Sequence, residues 1–205
     1  GPALAAAAQP VGPARIVDAA GRVLLTPPAP RPRVEMVRRA TLQGLLLDAM
    51  AAEPRIERRF GVEVVRAHPD GRVVARGSAG EAHLRADLVV GADGVHSRVR
   101  EGGAFGARVG RPGITYVRAL APEGLARNEE AWTAAGLFGS FPVDGATYLY
   151  ASAGSAACRA AAAVRDLDAF RAAWARAYPP ADALLGSLDG WDDLLVNRVV
   201  RVDCR

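Results

Sequence analysis

Residues 86–100 read ADLVVGADGVHSRVR, and this stretch decides the fold. Residues 86–90 form a compact apolar run that predicts a buried strand, and the run leads directly into a bend that begins at Gly91. In an open α/β sheet, ligands bind where the strands end. Gly91 and Gly94 let a ligand approach the backbone closely, and Asp93 offers an acceptor for sugar hydroxyls. The stretch therefore predicts a ligand site at a sheet edge.

The bend also has an ordinary interpretation. Ser97 and the amides that begin the next turn are placed to face a phosphate. The chain nevertheless contains two other Asp-Gly turns, at 70–71 and 144–145. A lone Asp-Gly pair is typical of a simple turn, so the binding interpretation depends on the whole string and not on the pair.

A second motif lies upstream, in residues 37–46, with the sequence VRRATLQGLL. Its apolar residues recur at helical spacing as far as Met50, and Pro54 ends the predicted helix. Arg39 stands at the start of this helix, where a guanidinium is well placed for a planar, charge-assisted grip on a phosphate. A solvated arginine at a helix start is the alternative.

The remaining pattern predicts an α/β or mixed α+β protein with two lobes, 1–112 and 113–205, and a boundary near 102–113. Some strands of the first segment are left open to join the second lobe. The predicted strands are 15–17, 22–25, 61–66, 72–76, 82–85, 86–90, 114–120, 136–143, 146–151 and 194–202. Besides the helix that begins at Arg39, helices are predicted at 167–178 and 184–188.

The composition excludes several classes of protein. Half of the 205 residues are hydrophobic and 23% are charged, so the chain can form a core. No apolar stretch approaches the roughly 20 residues of a membrane span, and no basic segment precedes the alanine-rich start, which argues against a signal peptide. The 26 basic residues are all arginines scattered among 22 acids, which argues against nucleic-acid binding. Two cysteines without metal-ligand spacing or a disulfide framework favour a reduced, cytoplasmic protein without a metal site.

The two motifs together resemble a known family. The string GADGxxSxVR after a strand, and R-x-x-L-x-x-x-L upstream of it, are similar to the class A FAD-dependent monooxygenases of the p-hydroxybenzoate hydroxylase type. The resemblance implies a partial FAD-binding, Rossmann-like lobe and a substrate-binding β-sheet lobe with helices on one face. It also implies cofactor-binding residues: Arg39 near the FAD phosphates, Asp93 at the sugar-phosphate chain, and with them Gly94, Ser97 and Val64.

The resemblance extends to the substrate lobe and to the activity. Residues 114–152 look like the family's substrate-binding sheet, which implies that Phe138, Phe141, Pro142 and Tyr148 line a pocket for a small aromatic or polyketide-like molecule. A core role for these aromatic residues stays open. The implied enzyme hydroxylates its substrate with FAD, NAD(P)H and O₂. No catalytic acid or base is named, because the cofactor carries the difficult chemistry.

Two motifs of that family have no counterpart in this chain. The sequence contains neither G-x-G-x-x-G after a strand nor a Gly-Asp motif after residue 200. The chain is therefore expected to be truncated at both ends, with complementary segments supplied by a partner chain or by other parts of the same polypeptide. Two alternatives remain open: a flavin-free binding or scaffold module derived from the family, and an FAD-dependent epoxidase or Baeyer–Villiger type enzyme. Substrate identity, the choice between NADH and NADPH, and the oligomeric state are not predicted.

Overall fold

The computed structural model describes residues 1–12, 14–26, 35–103 and 105–204. Its α-helices are α1 (Pro2–Ala7), α2 (Arg39–Ala51), α3 (Arg98–Gly102), α4 (Ala156–Val164), α5 (Leu167–Ala177) and α6 (Ala181–Leu185), and a 3₁₀ turn covers Trp191–Asp193. Its first strands are β1 (Gln9–Pro10), β2 (Arg15–Val17), β3 (Val23–Leu25), β4 (Glu35–Met36), β5 (Glu63–Ala67), β6 (Arg72–Gly77) and β7 (Gly80–Arg85). The later strands are β8 (Arg108–Gly110), β9 (Thr115–Pro122), β10 (Glu129–Thr133), β11 (Gly136–Val143), β12 (Ala146–Ser152), β13 (Leu195–Arg198) and β14 (Arg201–Asp203).

Two compact units divide the chain. Residues 1–52 and 113–199 form one, the sheet unit, and residues 53–112 and 200–205 form the other, the bend unit. The change of unit after residue 112 falls at the end of the glycine-rich stretch. The first 52 residues, however, belong with the later part of the chain, because β2 pairs in parallel with β10 and β3 pairs with β2.

The sheet unit is built on seven strands in the order β13-β9-β12-β11-β10-β2-β3. All neighbouring pairs are antiparallel except β10 with β2. One face of this sheet packs against the three helices that follow it, and Phe138, Leu149, Phe170, Trp174 and Leu184 are fully buried there. The Phe138 and Trp174 rings meet edge to face with their centroids 5.3 Å apart.

The bend unit holds a three-stranded antiparallel sheet, β5-β6-β7, and the short pair β8-β14. The turn between β5 and β6 depends on Gly71, which has φ +84°, and a Cβ there would lie 2.1 Å from the Ala86 carbonyl oxygen. This close approach brings the backbone after β7 against the turn, where the Ala86 amide donates to the Gly71 carbonyl.

Most predicted elements are confirmed within a few residues, including α2, α5, β11 and the hairpin of β2 and β3. Among the elements that the pattern missed are β10 and α4. The strand predicted at 194–202 is two strands, because β13 pairs with β9 whereas β14 pairs with β8. In the described residues, no helix is long and apolar enough to cross a membrane.

The strand predicted at residues 86–90 is wrong. None of the described strands pairs with this segment, and its apolar side chains Leu88 and Val90 are 77% and 75% exposed. An apolar run forms a strand only when neighbouring strands satisfy its amides and carbonyls. Without such partners the segment stays irregular as it runs towards Gly91.

A buried carboxylate ties the parallel pair β10 and β2 to the helices. Glu129 is 2% exposed, and its two oxygens accept bonds from the guanidinium groups of Arg15 and Arg127, each at 2.6 Å. The hydroxyl of Tyr178, the residue that follows α5, donates to the same carboxylate. Burial alone would raise the pKa of Glu129, but the bonds from Tyr178 and Arg127 and the charge of Arg15 outweigh it and lower the pKa.

We expect Glu129→Gln to lower the free energy of unfolding by about 3 kcal/mol at neutral pH, because it leaves two arginines without their shared partner. In the unaltered protein a lowered pKa means that this stabilisation is complete above the pKa of an unfolded glutamate and is lost as the pH falls through the folded value. Urea unfolding of the chain between pH 7 and pH 3 measures both effects. Asp182→Asn, which breaks the exposed pair with Arg171, serves as the control and should change little. Equal losses in the two variants would contradict the central role of Glu129.

Candidate functional site

The bend after residue 90 is held together by Asp93. Its Oδ2 accepts hydrogen bonds from the amides of Arg98 at 2.7 Å and of Val99 at 3.3 Å, the first two residues of α3. The Ser97 hydroxyl also bonds to this carboxylate, and together with the amides it lowers the pKa of Asp93. The carboxylate is therefore ionised at neutral pH, exposed, and fixed at the tip of the bend.

The Ser97 side chain is occupied within the bend. It is 6% exposed, and its hydroxyl oxygen accepts the Arg100 amide at 3.0 Å as the N-cap of α3. The Arg100 guanidinium donates hydrogen bonds to the carbonyls of Gly94 and Val95 and so ties α3 back to the bend. This arrangement makes Ser97 an organiser of the bend.

Two glycines give the bend its shape. A Cβ on Gly91 would lie 2.7 Å from the Cβ of Val99, so only glycine lets α3 approach this closely. Gly94 has φ +76°, a backbone conformation that favours glycine, and a Cβ there would meet no atom within 4 Å. The backbone at Gly94 is thus both strained for other residues and open to an approaching ligand.

Arg39 is the first residue of α2, as the sequence predicts. The neighbouring Arg38 is engaged: its Nη2 donates to the Asp144 carbonyl at 2.8 Å, and its Nε lies 3.5 Å from the Asp144 carboxylate. Arg39 is exposed and forms no ion pair with any described residue. Its guanidinium is therefore available to an anionic ligand.

The structure places the predicted cofactor residues in both units. Arg39 belongs to the sheet unit, whereas Asp93, Gly94, Ser97 and Val64 belong to the bend unit. Val64 lies in β5, half-buried opposite Ala75, and no feature of the structure sets it apart from its neighbours in that strand. An exposed carboxylate such as that of Asp93 can accept hydrogen bonds from sugar hydroxyls, and an exposed guanidinium such as that of Arg39 can bind a phosphate.

The face of the seven-stranded sheet that points away from the helices carries a cluster of aromatic side chains, which we call the aromatic face. It comprises Tyr116 on β9, Phe141 on β11, and Tyr148 and Tyr150 on β12. The rings of Phe141 and Tyr150 are nearly parallel, with centroids 6.2 Å apart, and Tyr148 and Tyr116 lie 6.0 and 6.4 Å from Tyr150. Tyr150 is thus at the centre of the cluster.

The four residues predicted to line a substrate pocket are divided between the two faces. Phe141 and Tyr148 are directly paired across β11 and β12 and belong to the aromatic face. Phe138 is 1% exposed and packs against Trp174 on the helix side, and Pro142, paired with the buried Thr147, has the same side-chain parity as Phe138. Strand geometry explains the division, because residues an odd number apart point to opposite faces.

Several polar residues of this face were missed from the sequence. The pairing of β9, β12, β11 and β10 places Arg118, Tyr150, Gly139 and Glu130 in one row across the sheet. Arg118 donates to the Asn197 side chain at 2.8 Å. Because alternate residues of a strand share a face, the prediction of Tyr148 could have been extended to Tyr150 on β12. The row across the four strands could not have been predicted, because it depends on the strand register, which the sequence does not reveal.

The comparisons with known proteins agree with this fold. A family model described as an FAD binding domain matches residues 5–120. The solved 2-methyl-3-hydroxypyridine-5-carboxylic acid oxygenase, in its tetrameric form, is 18% identical with a TM-score of 0.77, and the match covers 99% of this chain and 56% of that one. No curated protein matches the sequence.

Two further solved structures are similar. HpxO from Klebsiella pneumoniae, complexed with FAD and uric acid, is 21% identical with a TM-score of 0.63 over 95% of this chain and 53% of that one. The tetracycline destructase Tet(51) is 18% identical with a TM-score of 0.54 over 98% of this chain and 54% of its own. The chain thus spans little more than half the length of each of these proteins. Their likeness confirms the predicted fold class.

The position of the Tyr150 ring depends on Gly139. A Cβ there would lie 2.5 Å from ring atoms of Tyr150. We expect Gly139→Ala to push the ring aside and to lower the free energy of unfolding by about 1–3 kcal/mol, the usual cost of overpacking. Gly44→Ala is the matched control, since a Cβ at this position in α2 meets nothing within 4 Å and should be neutral or slightly stabilising. Denaturant unfolding measures both, and equal stabilities of the two variants would contradict the close approach.

Proposed function

The chain belongs to the FAD binding domain family, and on that premise we propose that it is part of an FAD-dependent monooxygenase that hydroxylates a small aromatic molecule with NAD(P)H and O₂. The observation that carries the proposal is that the chain has both an ordered Gly-Ala-Asp-Gly bend and a sheet with aromatic side chains on the face opposite α4–α6. The family match covers the residues of the bend, and the similar oxygenase structure shares the fold over 99% of this chain.

The family resemblance supplies the roles of the candidate cofactor residues. Arg39 would contact the phosphates of FAD and Asp93 its sugar-phosphate chain, with the open backbone of Gly94 beside it. Ser97 would act by keeping the bend in shape, and Val64 remains a candidate contact. When bound, the flavin supplies the oxygen-activating chemistry, and the protein positions and desolvates it.

The substrate would lie on the aromatic face. Phe141, Tyr148 and Tyr150 offer ring surfaces for stacking, and Arg118 brings a cation to the same face. Phe138 and Pro142 would support this surface from the helix side rather than touch the ligand. The proteins with similar structures include an oxygenase of a pyridine carboxylic acid and a protein solved with uric acid, which supports a small, planar, polar aromatic substrate.

The bend unit offers a place for complementary segments. Leu88 and Val90 are exposed in a backbone segment that no described strand pairs with, and Phe60 is 70% exposed in the same unit. We propose that strands carrying the two missing motifs dock here, because an unpaired apolar segment gains both hydrogen bonds and burial from such partners. A cytoplasmic location completes the proposal and rests on two free cysteines, one buried and one exposed.

Retention of bound flavin tests this proposed function. The chain, combined with segments that carry G-x-G-x-x-G and Gly-Asp motifs, should retain FAD through gel filtration and turn yellow. Folded complexes that never hold flavin would contradict the proposal and favour a flavin-free binding module. If flavin is retained, product analysis with aromatic substrates separates hydroxylation from epoxidation or Baeyer–Villiger chemistry.

Asp93→Ala should weaken FAD retention in that assembled protein by at least about tenfold, since a charge-assisted hydrogen bond and the order of the bend are both lost. Asp70→Ala is the matched control, because Asp70 also caps a turn, through the amide and guanidinium of Arg72. Equilibrium dialysis of FAD gives both affinities. Equal losses would show that Asp93 is only another turn residue.

A further inference from the structure

The aromatic face also contains a carboxylate. Glu130 lies on β10, half-buried, and forms no ion pair with any described residue. The adjacent Glu129, which points to the other face, has two arginines. A buried or half-buried carboxylate without a counter-ion needs hydrogen-bond donors to offset its lost hydration.

Two neutral donors supply those bonds. The Tyr150 hydroxyl donates to Oε2 of Glu130, and the indole Nε1–H of Trp132 donates to Oε1. Trp132 lies two residues further along β10 and therefore on the same face, where it is 51% exposed. Tyr150 reaches Glu130 across the intervening strand β11, because the residue between them in the row is Gly139.

This arrangement determines what the Tyr150 oxygen offers to a ligand. A tyrosine hydroxyl has one proton to donate and can also accept. With that proton directed to a carboxylate, the oxygen can take part in a further hydrogen bond only as an acceptor, through its lone pairs. Burial and the Glu130 charge also raise the pKa of Tyr150, so the phenol keeps its proton.

We propose that Glu130 is a positioning residue that orients the Tyr150 hydroxyl, so that the aromatic face selects aromatic ligands with a hydrogen-bond donor, such as a phenolic O–H or a ring N–H. A ligand that presents only an acceptor at this point meets an oxygen that cannot donate to it. The inference rests on the proposed function for its use of the aromatic face as the substrate surface, and it adds the chemical class that this surface prefers.

Paired ligands test the proposal. Naphthol and methoxynaphthalene share a ring system, but only naphthol can donate a hydrogen bond. Equilibrium dialysis against the chain should show naphthol bound about tenfold more tightly, the ratio expected for one well-placed hydrogen bond. In Glu130→Gln, which keeps the size of the side chain, and in Tyr150→Phe, the ratio should fall to about one. Glu35→Gln, an exposed glutamate on β4, is the control and should keep the original ratio.

The ratio distinguishes positioning from stability, because a variant that only loosens the sheet weakens both ligands alike. Equal affinities for the two ligands in the unaltered chain, or an unchanged ratio in Glu130→Gln, would overturn the role of Glu130. Binding of neither ligand would instead contradict the aromatic face as a substrate surface, and with it the substrate part of the proposed function. Flavin retention is measured separately and is not expected to change in these variants.

Discussion

The sheet unit depends on one buried carboxylate. The Glu129 carboxylate accepts hydrogen bonds from Arg15 in the N-terminal part of the chain, from Arg127 in the loop before β10, and from Tyr178 at the end of α5. It thereby joins three segments that are far apart in sequence. The parallel pairing of β2 with β10 has only three residue pairs, so a charged anchor at its first pair is a strong constraint on register.

The two adjacent glutamates illustrate how one strand serves both stability and binding. Alternation along β10 sends Glu129 to the core side and Glu130 to the aromatic face. Glu129 is neutralised by arginines and is structural. Among the described residues Glu130 receives hydrogen bonds from two neutral donors and forms no ion pair, so its charge still acts on Tyr150 and on a ligand that approaches this face. The same residue type takes two roles because the two environments differ.

Local signals in the sequence were sufficient to predict most helices and strands, but not to predict which strands pair with each other. Helix α2, the hairpin of β2 and β3, and the strands flanking Asp144 follow from periodicity and turn residues. The segment at 86–90 did not become a strand, since strand formation requires a neighbour, and an apolar run does not reveal whether one is present. Phe138 and Phe141 lie on opposite faces of the sheet because they are an odd number of residues apart in one strand, and this could have been predicted from the sequence. The row from Arg118 to Glu130 could not, because register across four strands is a tertiary property.

The chain passes between the two units three times, near residues 52, 112 and 199. Neither unit is therefore a continuous piece of sequence: the bend unit takes its last strand from the C-terminal end, and the sheet unit takes β2 and β3 from the N-terminal end. A gene fragment cut at the glycine-rich stretch would encode neither unit whole. A single recombination event therefore cannot exchange one whole unit between relatives. Substitutions on exposed faces, such as the aromatic face, do not meet this constraint.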